Sequence, residues 1–291
     1  MALLVIGAVF VSFVLMIVVI ASFIGDSPSL PLGHKVGVIQ VVGPIVSSDK
    51  TVREIVNFSK DDSIEAVVLR VDSPGGGVGP SQEIYTEIER LAEIKPVVVS
   101  MGAVAASGGY YVAAPADRIV ANPGTITGSI GVIMGFTNYE ELLEKIGLKS
   151  TVVKSGKHKD IGSPARPMTE EDRTILQGLI DDVHRQFVNA IVKGRKMEFD
   201  RVLSLADGRI FTGKQAKELG LVDQLGNFRD AVILAASLGE IDGEPKLIYP
   251  PKEKPDFIEY FMQEAVGQFK KGIREESSNG LQFLWNGTDR R

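Results

Sequence analysis

The run Ile64-Glu65-Ala66-Val67-Val68-Leu69-Arg70-Val71, followed at once by Asp72-Ser73-Pro74-Gly75-Gly76-Gly77, decides the fold. Its centre, Ala66 to Leu69, is apolar without alternation, which fits a strand covered by helices on both faces and not one with a solvated face. Val97-Val98-Val99 repeats the pattern, Val36 to Val42 precedes both, and an amphipathic segment follows each run. Strand and helix alternating in that order give βαβ units and a largely parallel sheet, an α/β fold.

Downstream, residues 118–121, 130–134 and 149–153 read as further short strands and 138–146 as a helix. Thr169 ahead of Glu170-Glu171-Asp172 marks a helix start, and Ile175, Leu179, Val183, Phe187 and Ile191 carry that helix to about Lys196. Shorter helices are expected over 200–206, 213–219 (stopped by Gly220) and 227–238.

The first 24 residues hold no charged side chain. At ~1.5 Å per residue they reach ~36 Å, enough for a bilayer core of ~30 Å with some tilt. A cleaved signal peptide fits less well, because a basic start and an A-x-A site are both missing. The expected organisation is a transmembrane anchor at 1–24, a linker at 25–35, a catalytic domain at 36–244, and an extension at 245–291. In that extension Phe257, Ile258, Phe261, Met262, Ala265, Val266 and Phe269 form one helical stripe.

The absence of cysteine excludes disulfides, thiol nucleophiles and thiolate metal sites. Only His34, His158 and His184 are present, with no H-E-x-x-H spacing, so neither a metal nor another cofactor is expected. A net charge of −5 with scattered basic residues gives no footprint for nucleic acid.

In Ala105-Ala106-Ser107-Gly108-Gly109-Tyr110-Tyr111 a serine framed by tiny residues lies between a strand and a helical stretch. Glycines there let a substrate carbonyl approach helix-start amides that can hold an oxyanion. The stretch is not G-x-S-x-G, and Ser107 could serve only as a helix cap. The loop from Asp72 to Gly77 lacks the Gly-Lys-Ser/Thr of a phosphate loop. It reads as a turn or as a second oxyanion donor with an edge for substrate backbone. Serine needs a base: either His158, oriented by Asp160 or Asp117, or a neutral lysine among Lys154, Lys157 and Lys159.

Four ordered stretches now stand together: Asp72-Ser73-Pro74-Gly75-Gly76, Ala106-Ser107-Gly108-Gly109-Tyr110-Tyr111, Thr127-Gly128-Ser129-Ile130-Gly131-Val132, and Gly156-Lys157-His158-Lys159-Asp160 with Ser163-Pro164. On them the chain resembles, over residues 35–239, the signal peptide peptidase A family, serine peptidases with the fold of Clp protease and crotonase. The resemblance implies a Clp protease/crotonase-like fold, a Ser107 nucleophile and a Lys159 base. It also implies an oxyanion hole at Gly108 with Gly75 or Gly76, and Ser129 supporting the lysine. It further implies hydrophobic peptide substrates such as remnant signal peptides, bound as an added strand; a ring- or dome-shaped homo-oligomer; and a single-pass protein in the bilayer, its catalytic domain on the extracytoplasmic side. A lysine of ordinary pKa ~10.4 costs about 4.6 kcal/mol to deprotonate at pH 7, so a dry pocket is expected around it. The same fold also serves crotonase-like acyl-CoA enzymes, and a non-catalytic membrane scaffold is the remaining alternative.

Overall fold

A computed structural model of the chain describes residues 34–251 and, by backbone, residues 282–284. The expected anchor at 1–24, the linker as far as 33, and the stripe from Phe257 to Phe269 lie outside the described residues. Among the described residues no helix is long and apolar enough to cross a membrane.

Three parallel strands make the centre: β1 (Lys35–Val42), β2 (Ile64–Ser73) and β4 (Val97–Ala106). The helix α1 (Asp49–Lys60) links the first two. The short β3 (Gly75–Gly77) and the helix α2 (Val78–Ala92) link the second and third. The helix α3 (Gly108–Ala113) follows β4 after one residue, and β5 (Arg118–Ala121), β6 (Ile126–Gly128) and the short helix α4 (Glu140–Lys145) come next. The long helix α5 (Glu170–Arg195) precedes α6 (Phe199–Leu203), β7 (Ile210–Thr212), α7 (Gly213–Glu218), β8 (Gln224–Leu225), α8 (Phe228–Leu238) and β9 (Lys246–Ile248). Eight strands form one sheet in the order β7-β6-β4-β2-β1-β9, with β5 joining β4 to β8. All its pairings are parallel except β6 with β7. The family-like α/β architecture expected from the sequence is present, with a parallel-rich sheet.

The continuous apolar runs are explained by two covered faces. Val67, Leu69, Val71, Val97, Val99 and Met101 pack into a core with residues of α2, α3 and α5, while Ala66, Val68 and Val98 pack under Ala231, Val232 and Ala235 of α8. Each fully buried Val, Leu or Ile contributes about 1.5–3 kcal/mol of transfer free energy, and the polar residues among them are hydrogen-bonded, Arg70 Nη1 donating to Ser100 Oγ at 2.9 Å.

β4 is longer than its apolar run predicts, because it serves two neighbours in succession. Residues 98–100 pair with β5 and 104–106 with β6. Between these stretches its register against β2 slips from Val71↔Met101 to Ser73↔Ala105. The bulge is satisfied by side chains: the Val104 amide donates to Asp72 Oδ1 at 3.0 Å, and Thr125 Oγ1 donates to the Gly102 carbonyl at 2.7 Å. Such a bulge bends a strand and re-aims its end.

The strands expected at 130–134 and 149–153 do not form, and the third segment of the sheet lies earlier, at Ile126–Gly128. Ser129 has φ 50° and turns the chain out of the sheet. Neither segment forms a strand, and Ile133, Val152 and Val153 are exposed. The expected helix at 200–206 is the shorter α6, whereas α5 has the expected cap: Thr169 and Asp172 form a capping box.

Two glycines of α5 separate backbone propensity from packing. A Cβ on Gly194 would meet the Ala114 carbonyl oxygen at 2.2 Å, whereas one on Gly178 meets nothing within 4 Å. Gly178→Ala is expected to stabilise by about 0.5–1 kcal/mol through helix propensity. Gly194→Ala is expected to destabilise by about 1–3 kcal/mol despite the same gain, because backbone must move. Chemical denaturation of the two variants checks the opposite signs.

Candidate active site

Ser107 is the single residue between β4 and α3, with φ 55° and ψ −119°, a left-handed conformation that a residue with a side chain adopts only under constraint. Two backbone bonds hold it: its amide donates to the Gly128 carbonyl at 2.8 Å, and its carbonyl accepts from the Tyr111 amide at 2.8 Å. α3 is itself locked. Tyr110 is fully buried, and its hydroxyl donates to the Leu221 carbonyl at 2.8 Å; the Tyr111 ring packs between Tyr85 and Phe187, with centroids 5.1 and 4.9 Å away. Ser107 is 1% exposed in the single chain. This is the sharp strand-to-helix turn that presents a nucleophile in hydrolases, built here without G-x-S-x-G.

The glycines around Ser107 are dictated by contact. A Cβ on Gly109 would lie 2.5 Å from the Ser73 carbonyl oxygen. One on Gly108 would lie 2.8 Å from Ser81 Oγ and 3.1 Å from both the Gly75 Cα and the Gly76 amide nitrogen. The start of α3 and the loop after β2 therefore touch backbone to backbone. The amide of Gly108 opens a helix and has no acceptor one turn back. The Gly75 amide is engaged, donating to Ser73 Oγ at 3.1 Å, and Gly76 pairs in antiparallel register with Phe283, so Gly108 is the better placed oxyanion donor.

Ser129 lies beside this turn. Ala106 and Gly128 are register partners in β4 and β6, so Ser107 and Ser129 each follow directly on a paired residue, and both have positive φ. Ser129 is buried and its amide donates to the Arg209 carbonyl at 2.8 Å.

Lys159 occupies a different environment. It lies on an exposed arm between β6 and α5, in a series of turns whose backbone bonds include Lys159 N to the Gly156 carbonyl at 3.1 Å. Its side chain is exposed, and among the described residues its ammonium has no hydrogen-bond or ion-pair partner. Among the described residues the dry pocket expected around it is not formed. The neighbouring Asp160 faces other cations: Lys154 Nζ donates to Oδ1 at 2.6 Å and Arg166 Nε to Oδ2 at 3.0 Å. These bonds hold its carboxyl down, at about 2. Arg166 also donates to Asp172 Oδ2 at 2.6 Å, tying the arm to the capped start of α5.

The histidine alternative finds no support in these contacts. His158 approaches Glu171 at 3.4 Å; Asp160 is taken by Lys154 and Arg166, and Asp117 accepts from the Val97 amide at 2.8 Å. His184 bonds the Ala206 carbonyl and His34 bonds Glu65. Among the described residues no group of three or more His, Asp or Glu could hold a metal ion. Sequence reasoning named Asp72 only as part of a motif and passed over Arg166. A lone acid ending a buried strand signals the first, whereas nothing in the spacing of Arg166 signals its two carboxylate partners.

Against known proteins, residues 89–242, more than half of the chain, match the profile of peptidase family S49, and residues 35–125 match that of Clp protease. A Synechocystis sp. protein provisionally named a protease is 47% identical over 77% of this chain and 79% of its own length. An Enterococcus faecium protein provisionally named signal peptide peptidase SppA is 42% identical over 62% of this chain. Protease 4 of Salmonella typhi is 36% identical over 79% of it. The matched regions span 52% and 37% of those last two proteins.

The arm's clamp is testable by itself. A carboxyl held at about 2 stabilises the arm fully above its ordinary value near 4, and that contribution is lost as the pH falls toward 2. Arg166→Ala is expected to return the Asp160 titration, followed by NMR, toward about 3.9, and to make the arm a preferred site of nicking in limited proteolysis at neutral pH.

Proposed function

The chain belongs to peptidase family S49 and is a peptidase of the signal peptide peptidase A type, and from that premise we propose that it is a membrane-tethered serine endopeptidase with a Ser107/Lys159 pair. The observation that carries the reading is the constrained turn at Ser107, with the amides of Gly76 and Gly108 beside it.

In this mechanism the neutral Lys159 amine takes the Ser107 hydroxyl proton as Oγ attacks the scissile carbonyl. The oxyanion accepts from the Gly108 amide, already oriented at the start of α3, and from the Gly76 amide once residues 282–284 no longer pair with it. The lysine ammonium then protonates the leaving amine, releasing the first product. Water, deprotonated by the same amine, hydrolyses the ester and regenerates the serine. The Ser129 hydroxyl supports the lysine without adding negative charge.

A lysine acting as a general base must be desolvated, and among the described residues Lys159 is exposed. The arm that carries it exposes Ile133, Phe136, Leu142, Ile146, Leu148 and Val153, the last 98% accessible. An arm that exposes this many apolar side chains suits association with another surface. Assembly of copies through this arm, into a ring or dome, would bury the lysine at a serine turn and withhold activity from the isolated chain. Substrates are hydrophobic peptides in extended form, remnant signal peptides among them, held by backbone bonds as an added strand. The proposed anchor at residues 1–24 keeps the enzyme at the membrane where such peptides are left, on the extracytoplasmic side.

A serine-directed fluorophosphonate, mapped by mass spectrometry on the full chain, is expected to label Ser107, and labelling is expected to disappear in Lys159→Ala. Ser107→Ala and Lys159→Ala should each lower kcat by about 10⁴-fold or more, the scale seen when a nucleophile or its base is removed. His158→Ala should stay within about threefold of the parent; loss of activity there, with Lys159→Ala active, overturns the lysine. Activity should rise from pH 6 to 9 as the base loses its proton.

A further inference from the structure

β2 ends on two polar residues whose side chains, by strand alternation, leave the sheet on opposite faces. Ser73 is fully buried on the side of Ser107, where its Oγ accepts from the Gly75 amide and its carbonyl is the group that a Cβ on Gly109 would strike. Asp72 is half-buried on the other face, in line with Ala66 and Val68 under α8 and with Arg70, whose guanidinium lies over the Phe228 ring. Its Oδ1 accepts from the Val104 amide at 3.0 Å. Its carboxyl is seated flat on Gly102, where an added Cβ would lie 2.6 Å from Cγ and 2.9 Å from Oδ2. Among the described residues no ion pair reaches this carboxylate, so it acts there as an acceptor and not as a partner of a cation.

We propose that Asp72 is a positioning residue for the reaction: from the far face of the sheet, its carboxylate oxygen holds the bulge of β4 and thereby sets where Ser107 and the Gly108 amide stand against the glycine loop. The inference rests on the peptidase reading and adds to it a residue that acts on the site only through the backbone.

The register shows what the bulge does. Regular continuation from Val71↔Met101 would put Ala103 opposite Ser73, whereas Ala105 is found there, so the bulge takes up two residues of β4. At ~3.3 Å per residue, Ser107 would otherwise stand ~7 Å further along and miss the loop that starts at Pro74. Val104 also begins the stretch that pairs with β6, and only Ala105 and Ala106 separate it from Ser107. An amide left without its acceptor at this point costs about 1–3 kcal/mol, enough to let the bulge slip or open. The near face cannot supply a substitute, because Ser73 Oγ is already bonded to Gly75. The Asp72 main chain is fixed as well, its carbonyl accepting from the Gly43 amide at 2.9 Å, so the carboxylate reaches Val104 from a held position.

The test combines cleavage of an internally quenched apolar peptide by the full chain with hydrogen–deuterium exchange of the same proteins, read by mass spectrometry. Asp72→Ala is expected to lower kcat about 10²-fold with KM within about threefold, the cost of misplacing reacting groups by about 1 Å. Asp72→Asn keeps the acceptor and is expected to stay within about threefold of the parent in both constants. Gly102→Ala disturbs the same contact from the opposite side, so it should resemble Asp72→Ala, and in the double variant the two losses should not multiply. Exchange needs no turnover: Asp72→Ala and Gly102→Ala should speed it about tenfold over residues 102–111, the scale of one lost buried bond, and leave residues 36–42 and 183–191 as protected as in the parent. Parent-like kcat in Asp72→Ala, an Asp72→Asn variant as impaired as Asp72→Ala, losses that multiply, or faster exchange spread evenly through the cores each overturns the proposal. Where the parent cleaves nothing and takes no fluorophosphonate, the peptidase reading falls. The exchange pattern then decides the role of Asp72: faster exchange confined to residues 102–111 and restored by Asn supports it, and any other pattern overturns it.

Discussion

The contact on which the site depends is backbone against backbone, where the first turn of α3 meets the loop that leaves β2. Gly109 and Gly108 leave no room for a methyl against Ser73, Gly75 and Gly76. Any side chain there would push the helix away from the loop and separate the two amides that can hold an oxyanion. The closeness is maintained from behind by Tyr110, Tyr111, Tyr85 and Phe187, whose buried rings fix the helix against the rest of the core. Strain at Ser107 is sustained because the residues on both sides of it are over-determined.

The sheet contributes more than a platform. β4 changes partner along its length, and the bulge at residues 102–104 bends it so that its last residues run beside β6. Asp72 makes that possible by accepting the Val104 amide that the bulge leaves free, at the point where its own strand ends. One acidic side chain thus connects the shape of β4 to the position of the loop carrying Gly75 and Gly76. Ser107 and Ser129 emerge together because the parallel register of β4 and β6 delivers them side by side.

The lysine-bearing arm follows a different design. It has little core of its own and is held by charge, through Lys154, Asp160, Arg166 and Asp172, with Arg166 reaching the capped start of α5. Ion pairs at a partly exposed site fix geometry more than they add stability. The serine turn is held by packing and the arm by charge, and Lys159 belongs to the second.

The sequence by itself determined the α/β class, the central strands, the long capped helix and the serine turn. Each of these is a local matter: continuous apolar runs, a Thr-to-Asp cap, and small residues around Ser107. The bulge in β4, the absence of strands at 130–134 and 149–153, the partners of Asp160, and the seating of residues 282–284 on β3 were decided only by tertiary structure. Each depends on a neighbour distant in the chain, and an apolar run becomes a strand only where another strand can take its hydrogen bonds. The same reason separates the two members of the proposed pair. Ser107 is set by its immediate neighbours, whereas the environment of Lys159 depends on what covers an arm that the described residues leave open.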